Sequence, residues 1–214
     1  MAKLKFFLST TFILFAAVGT SFNLNAQTID IEALSQFSPA VIRQTFEVCK
    51  LVKLSSEQQV SLAKSIEKEN EKFIQDVKHN EGVLSVKGGN QLAKLRENTL
   101  TSLLDKEQIA QYYRGIYDAE ADAVGNNVAN TLQKKYNLTD QNWKFIRVAV
   151  YKYELDSRVI KKLYADQPKK AAKMIADLKA EQLKTIEEKG DIRVNPDKMT
   201  VEFLKEFNPD TLHK

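Results

Sequence analysis

Leu54-Ser-Ser-Glu-Gln58, Leu104-Asp-Lys-Glu-Gln108 and Leu138-Thr-Asp-Gln141 share one plan: a leucine, then a small residue with a side-chain oxygen, then a glutamine within a turn. The plan is that of a helix start. The oxygen of Ser55, Asp105 or Thr139 can accept a backbone N–H that the first turn leaves without a partner. The glutamine can reach back to the N–H of the cap residue, and the preceding leucine packs against the incoming turn. Each stretch therefore predicts a helix running onward from it. The third copy is one residue shorter, with Gln141 where the spacing of the other two would place glutamine at Asn142.

Around these starts the apolar residues recur at helical spacing. Ser38-Pro39, a cap followed by proline at the first helical position, opens a helix of about three to four turns carrying Val41, Ile42, Phe46, Val48, Leu51 and Val52 as its apolar set. Ser55 opens a second, with Leu62, Ile66, Phe73 and Val77 on one side and an end near Gly82. The glycines Gly82, Gly88 and Gly89 make Glu81 to Asn90 read as a loop, after which Leu92, Leu95, Thr99 and Leu103 restart the period. Asp105 predicts a kink or a new helix with Ile109, Tyr112, Tyr113 and Ile116 buried. Gly125-Asn126-Asn127 predicts a further kink or break, because each lowers helix stability by about 0.5–1 kcal/mol relative to alanine. Thr139 caps the element holding Trp143, Ile146, Ala149, Val150 and Tyr153, and Pro168 punctuates the chain before a helix ending at Gly190. Asn195-Pro196 opens a short last helix through Val201, Leu204 and Phe207. No strand pairs are visible. The expected fold is all-α, built of antiparallel helical hairpins, with residues 54–117 and 138–190 as two loosely repeated halves of one domain spanning 27–214.

Composition narrows the chemistry. Of 214 residues 43% are hydrophobic and 28% charged, too apolar for a disordered chain, and seven glycines and four prolines are too few for a many-turned β-sandwich. One cysteine, Cys49, excludes an internal disulfide and a Cys-rich zinc site, and two histidines leave little for His-based catalysis or metal binding. There is no Gly-rich phosphate loop, His-Glu-x-x-His or Gly-x-Ser-x-Gly. No enzyme, cofactor or metal is expected. Asp118-Ala-Glu120-Ala-Asp122 begins like a calcium loop, but Ala123 stands where the turn needs glycine and Ala129 where a bidentate glutamate belongs, so the segment reads as a solvated acidic face. Cys49 sits in an apolar set and reads as a buried thiol, with cross-linking of two chains as the alternative. His79 falls at a helix C-terminus, where positive charge suits the macrodipole. The sequon Asn137-Leu-Thr139 would matter only in a eukaryotic secretory pathway.

Lys3 and Lys5 precede the uncharged run Phe6–Val18, and small and polar residues follow to Asn25-Ala26-Gln27, the three-part plan of a signal peptide. Cleavage after Ala26 would leave 188 residues with 30 basic and 28 acidic side chains, and a periplasmic or secreted protein. The basic excess is local. Residues 138–190 hold 12 Lys/Arg against 8 Asp/Glu. Arg158, Lys161, Lys162, Lys169, Lys170 and Lys173 are opposed within their span only by Asp166, which favours acidic partners or peripheral contact with anionic surfaces. Export argues against nucleic acid as the partner.

The Leu-cap-Gln stretches resemble the Leu-Thr-x-x-Gln signature of Spy-like and CpxP-like periplasmic proteins. The resemblance is best over residues 54–117, where one cap precedes a long polar amphipathic helix and the second enters the tyrosine-rich Gln108-Ile-Ala-Gln-Tyr-Tyr113. Ser55 and Asp105 stand where the signature has threonine, and the chain is longer than a minimal member. The resemblance implies an antiparallel, cradle-shaped all-helical assembly, such as a homodimer, that holds unfolded or misfolded envelope proteins without ATP. Its expected contacts are the six basic residues above together with Tyr112, Tyr113, Tyr117, Tyr151 and Tyr153. The alternative is a helical adaptor or structural subunit that binds one defined envelope partner.

Overall fold

The computed structural model describes residues 29–189, which form seven α-helices and no strand. They are α1 (Ile31–Leu34), α2 (Pro39–Cys49), α3 (Ser56–His79), α4 (Val86–Leu103), α5 (Lys106–Tyr136), α6 (Asp140–Leu163) and α7 (Pro168–Lys189). The all-α expectation holds. The export signal, the end of α7 at Gly190 and the helix expected after Asn195-Pro196 lie outside the described residues.

The caps work as their chemistry requires. Ser55 Oγ accepts the Gln58 N–H at 3.2 Å while Gln58 Oε1 accepts the Ser55 N–H at 3.0 Å, and Asp105 and Gln108 repeat the exchange at 2.8 and 3.1 Å. α6 opens on Thr139, whose hydroxyl accepts the Asn142 N–H at 3.2 Å. Beside the unexpected single turn of α1 and the end of α2 at Cys49, short of Leu51 and Val52, two longer elements differ from expectation. α4 begins at Val86, inside the stretch expected to be loop: Ser85 caps it, and the Asp76 carboxylate on α3 accepts both the N–H and the O–H of Ser85, at 2.7 and 2.8 Å. A side chain at Gly88 would overlap that carboxylate, so glycine here serves close helix approach within a helix rather than a loop. The turn itself is short and needs Gly82 at φ +88°.

The second difference is α5, which runs unbroken for 31 residues through Gly125-Asn126-Asn127. A Cβ on Gly125 would lie 2.8 Å from the Arg147 carbonyl oxygen, so its absence lets α6 cross at short range. Asn126 donates to the Asp122 carbonyl and carboxylate at 2.9 Å, and its own oxygen accepts the Arg147 Nε–H at 2.7 Å. Weak helix formers are kept because the neighbouring helix uses them, and tertiary packing overrides propensity.

α5 and α6 lie together as a hairpin along two hydrophobic clusters. One holds Leu34, Val41, Val52, Leu62, Leu104 and Tyr112, with Val159 from the end of α6. The other holds Val128, Leu132, Ile146, Val150 and Tyr153, covered by Ile186 of α7. α3 and α4 make a second hairpin that joins the first cluster only at its base, through Leu62, Ala63, Ile66 and Leu100. From residue 71 to residue 99 Gly88 is the only buried residue, so the rest of that hairpin is an arm of two helices without a core of its own.

Gly125→Val is expected to destabilise the fold by about 1–3 kcal/mol, because the clash is with backbone rather than a flexible side chain. Gly89→Ala, where a Cβ meets only Leu84 at 3.7 Å, is expected to be neutral or to gain up to about 1 kcal/mol. Urea denaturation followed by circular dichroism compares the two.

Candidate functional site

The first two copies of the repeated motif meet in space. Gln58 Nε2 donates to the Leu103 carbonyl at 2.9 Å and Gln108 Nε2 donates to the Lys53 carbonyl at 2.8 Å, each closing on the residue before the other's leucine. The two amides also bond each other at 2.9 and 3.0 Å. Leu54 and Leu104 are buried beneath them. Each glutamine thus caps its own helix and clasps the start of the other. The third copy takes no part: Leu138 packs on the distal cluster, and Gln141 is exposed, since the shorter spacing puts Asn142 rather than glutamine at the reach-back position.

The expected contact residues divide into two sets. Tyr112, Tyr113 and Tyr153 are buried and are not surface contacts, because their spacing places them on the core stripe of α5 and α6. Tyr117 stacks on Tyr113, with ring centres 5.9 Å apart. Lys162 lies 5.4 Å over Tyr113 and bonds Glu97 at 3.0 Å; Arg158 lies 5.4 Å over Tyr117 and is held by Glu154 and Glu120 at 2.6 and 2.7 Å. These two cations brace the α5–α6 seam and tie it to α4. The Glu97 carboxylate holds the Lys162 ammonium above its ordinary range, and burial pushes the Tyr112 and Tyr113 hydroxyls up.

The acidic segment of α5 is not a solvated face. Asp122 pairs with Arg147, Glu120 with Arg158, and Asp118 accepts the Tyr151 hydroxyl. With Asn130 accepting from the Trp143 indole at 2.9 Å and Asp156 pairing with Arg114 at 2.6 Å, Asp118 and Asp122 form a polar ladder down one side of the hairpin, while Glu120 and Arg158 belong to the opposite seam. Tyr151 therefore belongs to this ladder. Burial and then the bond to Asp118 push its hydroxyl up to about 12.

Lys161, Lys169, Lys170 and Lys173 remain exposed, where α6 ends and α7 begins. Among them the structure places Tyr164, half-buried, with the Lys170 ammonium 4.5 Å and the Lys106 ammonium 5.9 Å from its ring centre. Nothing local in the sequence joins Lys106 to Tyr164. Their meeting follows from the antiparallel pairing of α5 and α6.

A second feature lies on α1 and α2. Ile29, Ile31, Pro39, Ile42, Arg43 and Phe46 line a shallow hollow of about 430 Å³, apolar but for the arginine. Phe46, part of the apolar set read from the sequence, is 38% exposed, and Ile31 is 58% exposed. α2 turns Val41, Thr45 and Cys49 inward instead, which leaves Ile42 and Phe46 at its edge. Lys50, paired with Glu47, lies 5.1 Å over the Phe46 ring. Cys49 is buried as expected, and burial pushes its thiol up to about 11, which leaves it without the exposed thiolate that cross-linking of two chains needs. His79 occupies the last turn of α3. Among the described residues no group of His, Cys, Asp and Glu is arranged to hold a metal ion, and no helix is long and apolar enough to cross a membrane.

Comparison of the chain with protein-family models, curated proteins and solved structures finds no match.

Gln58→Ala and Gln108→Ala are each expected to lower stability by about 1–3 kcal/mol, and a double-mutant cycle should show coupling above about 0.5 kcal/mol. Gln141→Ala is expected to stay within about 0.5 kcal/mol of the parent. The raised Tyr151 hydroxyl gives stability that is intact below pH 10.0, its ordinary value, and is lost as pH rises toward about 12. Alkaline denaturation of Tyr151→Phe should accordingly show a shallower fall across that window than the parent.

Proposed function

We propose that this protein is an exported, ATP-independent holding chaperone that binds unfolded polypeptides in the cell envelope. The observation that carries the reading is the open apolar hollow on α1 and α2, lined by Ile29, Ile31, Pro39, Ile42 and Phe46 and edged by Arg43. A shallow apolar hollow accepts aliphatic and aromatic side chains of many shapes and imposes little sequence preference, as holding requires. No bond is made or broken there, and no nucleotide is needed. The exposed lysines around Tyr164 would add long-range attraction for acidic segments, raising the encounter rate without fixing the client. The clasped helix starts support the reading from another side, since the Leu-cap-Gln stretches that resemble the Spy-like and CpxP-like signature form one structural unit.

Light scattering of a chemically denatured client on dilution, without ATP, tests the reading. The parent protein should suppress aggregation at near-stoichiometric ratios, Phe46→Asp should lose most of that effect, and Lys169→Glu/Lys170→Glu should slow capture of acidic clients, more so at low salt. No suppression at several-fold excess overturns the proposal. Affinity capture that returns a single stoichiometric companion in place of a diffuse client set would favour the adaptor reading.

A further inference from the structure

The arm formed by α3 and α4 ends in a tip that the holding function leaves unused. Val83 is 67% exposed and Val86 84%, with Leu84 and Ile74 also among the large apolar side chains left in water. The turn that carries them is braced by hydrogen bonds to its own chain. Gly82 N–H donates to the Val77 carbonyl at 2.8 Å, Val83 N–H to the Asn80 carbonyl at 3.0 Å, and Ser85 is held by Asp76. The tip is therefore held in shape by these bonds. Its apolar side chains stand out into solvent at the end of the arm. α4 is 18 residues long, which sets the tip about 25 Å from the base where the arm joins the body.

Charge around the tip selects the occupant. Between residues 72 and 94 the chain carries Lys72, Lys78, Lys87 and Lys94, all exposed, against two carboxylates, Glu81 and the Asp76 already engaged with Ser85. Aliphatic side chains at the end of a projecting arm, collared by unpaired lysines, are complementary to one kind of surface. Lipid acyl boundaries accept convex apolar groups of any shape, and anionic headgroups attract the collar. A second copy docking tip to tip would instead bring these lysines against each other.

We propose that the α3–α4 tip is a membrane-docking element that inserts Val83, Leu84 and Val86 into the interface of an anionic bilayer, with Lys78 and Lys87 on the headgroups. The inference is independent of client holding, which lies on α1 and α2.

Flotation with phosphatidylcholine vesicles containing phosphatidylglycerol tests it. The parent protein should float with these vesicles and not with pure phosphatidylcholine. Val83→Asp/Val86→Asp should weaken binding by roughly tenfold or more through the lost apolar insertion, with unchanged circular dichroism because both sites face water. Lys78→Glu/Lys87→Glu should weaken it most at low salt. Absence of binding by the parent overturns the proposal. So does binding unaffected by the valine changes, or binding abolished by Lys169→Glu/Lys170→Glu alone, which would move the contact to the α6–α7 end. Sedimentation that shows self-association lost on Val83→Asp/Val86→Asp would assign the tip to a second copy and overturn it equally.

Discussion

A helix start leaves backbone N–H groups without partners, and in this protein the two glutamines that help cap such starts also bond across to each other's motif. Gln58 and Gln108 each complete the cap of their own helix and then donate across to the carbonyl just before the other's motif. The clasp fixes the beginning of α3 against the beginning of α5, with Leu54 and Leu104 buried beneath. Where α1, α2 and α4 sit depends on it. Buried Gln59, next to the clasp, accepts the Asp30 N–H at 2.9 Å and so ties the start of α1 to α3. The hollow on α1 and α2 takes its position from that link.

The α5–α6 hairpin is held in a different way. Small residues let the helices approach, with Gly125 under the Arg147 carbonyl, and two seams of polar and aromatic contacts flank the apolar strip between them. On one side Asn130, Asn126, Asp122 and Asp118 face Trp143, Arg147 and Tyr151; on the other Tyr113 and Tyr117 lie under Lys162 and Arg158. Partly buried ion pairs bring less net stability than their number suggests, because removing the charges from water offsets much of the attraction. Their main effect is register: shifting α6 by one residue would break both seams together. The cations drawn into these seams are engaged within the fold, which leaves Lys161, Lys169, Lys170 and Lys173 as the exposed cations at the α6–α7 end.

The arm contrasts with both units. Two helices facing each other only half-bury their apolar stripe, and between residues 71 and 99 nothing apolar is fully covered. Local stability there rests on the Asp76–Ser85 cap, the Arg96–Glu69 pair at 2.9 Å and the helix ends. Regions with few buried apolar contacts open at lower free energy than the global fold. A projecting element of that kind suits contact with something outside the chain.

The sequence by itself determined the helical class and most helix starts, because both are written locally. Cap side chains act on N–H groups two or three residues away, and apolar period records which side of a helix turns inward. Ser38, Ser55, Asp105 and Thr139 were legible for that reason. Tertiary structure alone decided that Gly125-Asn126-Asn127 continues a helix, that Gly88 lies within one, that Tyr112, Tyr113 and Tyr153 are enclosed, and that Tyr164 gathers Lys106 and Lys170. In each case the deciding partner is an atom distant in sequence: the Arg147 carbonyl, the Asp76 carboxylate, the facing helix. Residue spacing along one helix cannot report a neighbour supplied by another, and the proposed surfaces are made where such neighbours meet or are missing.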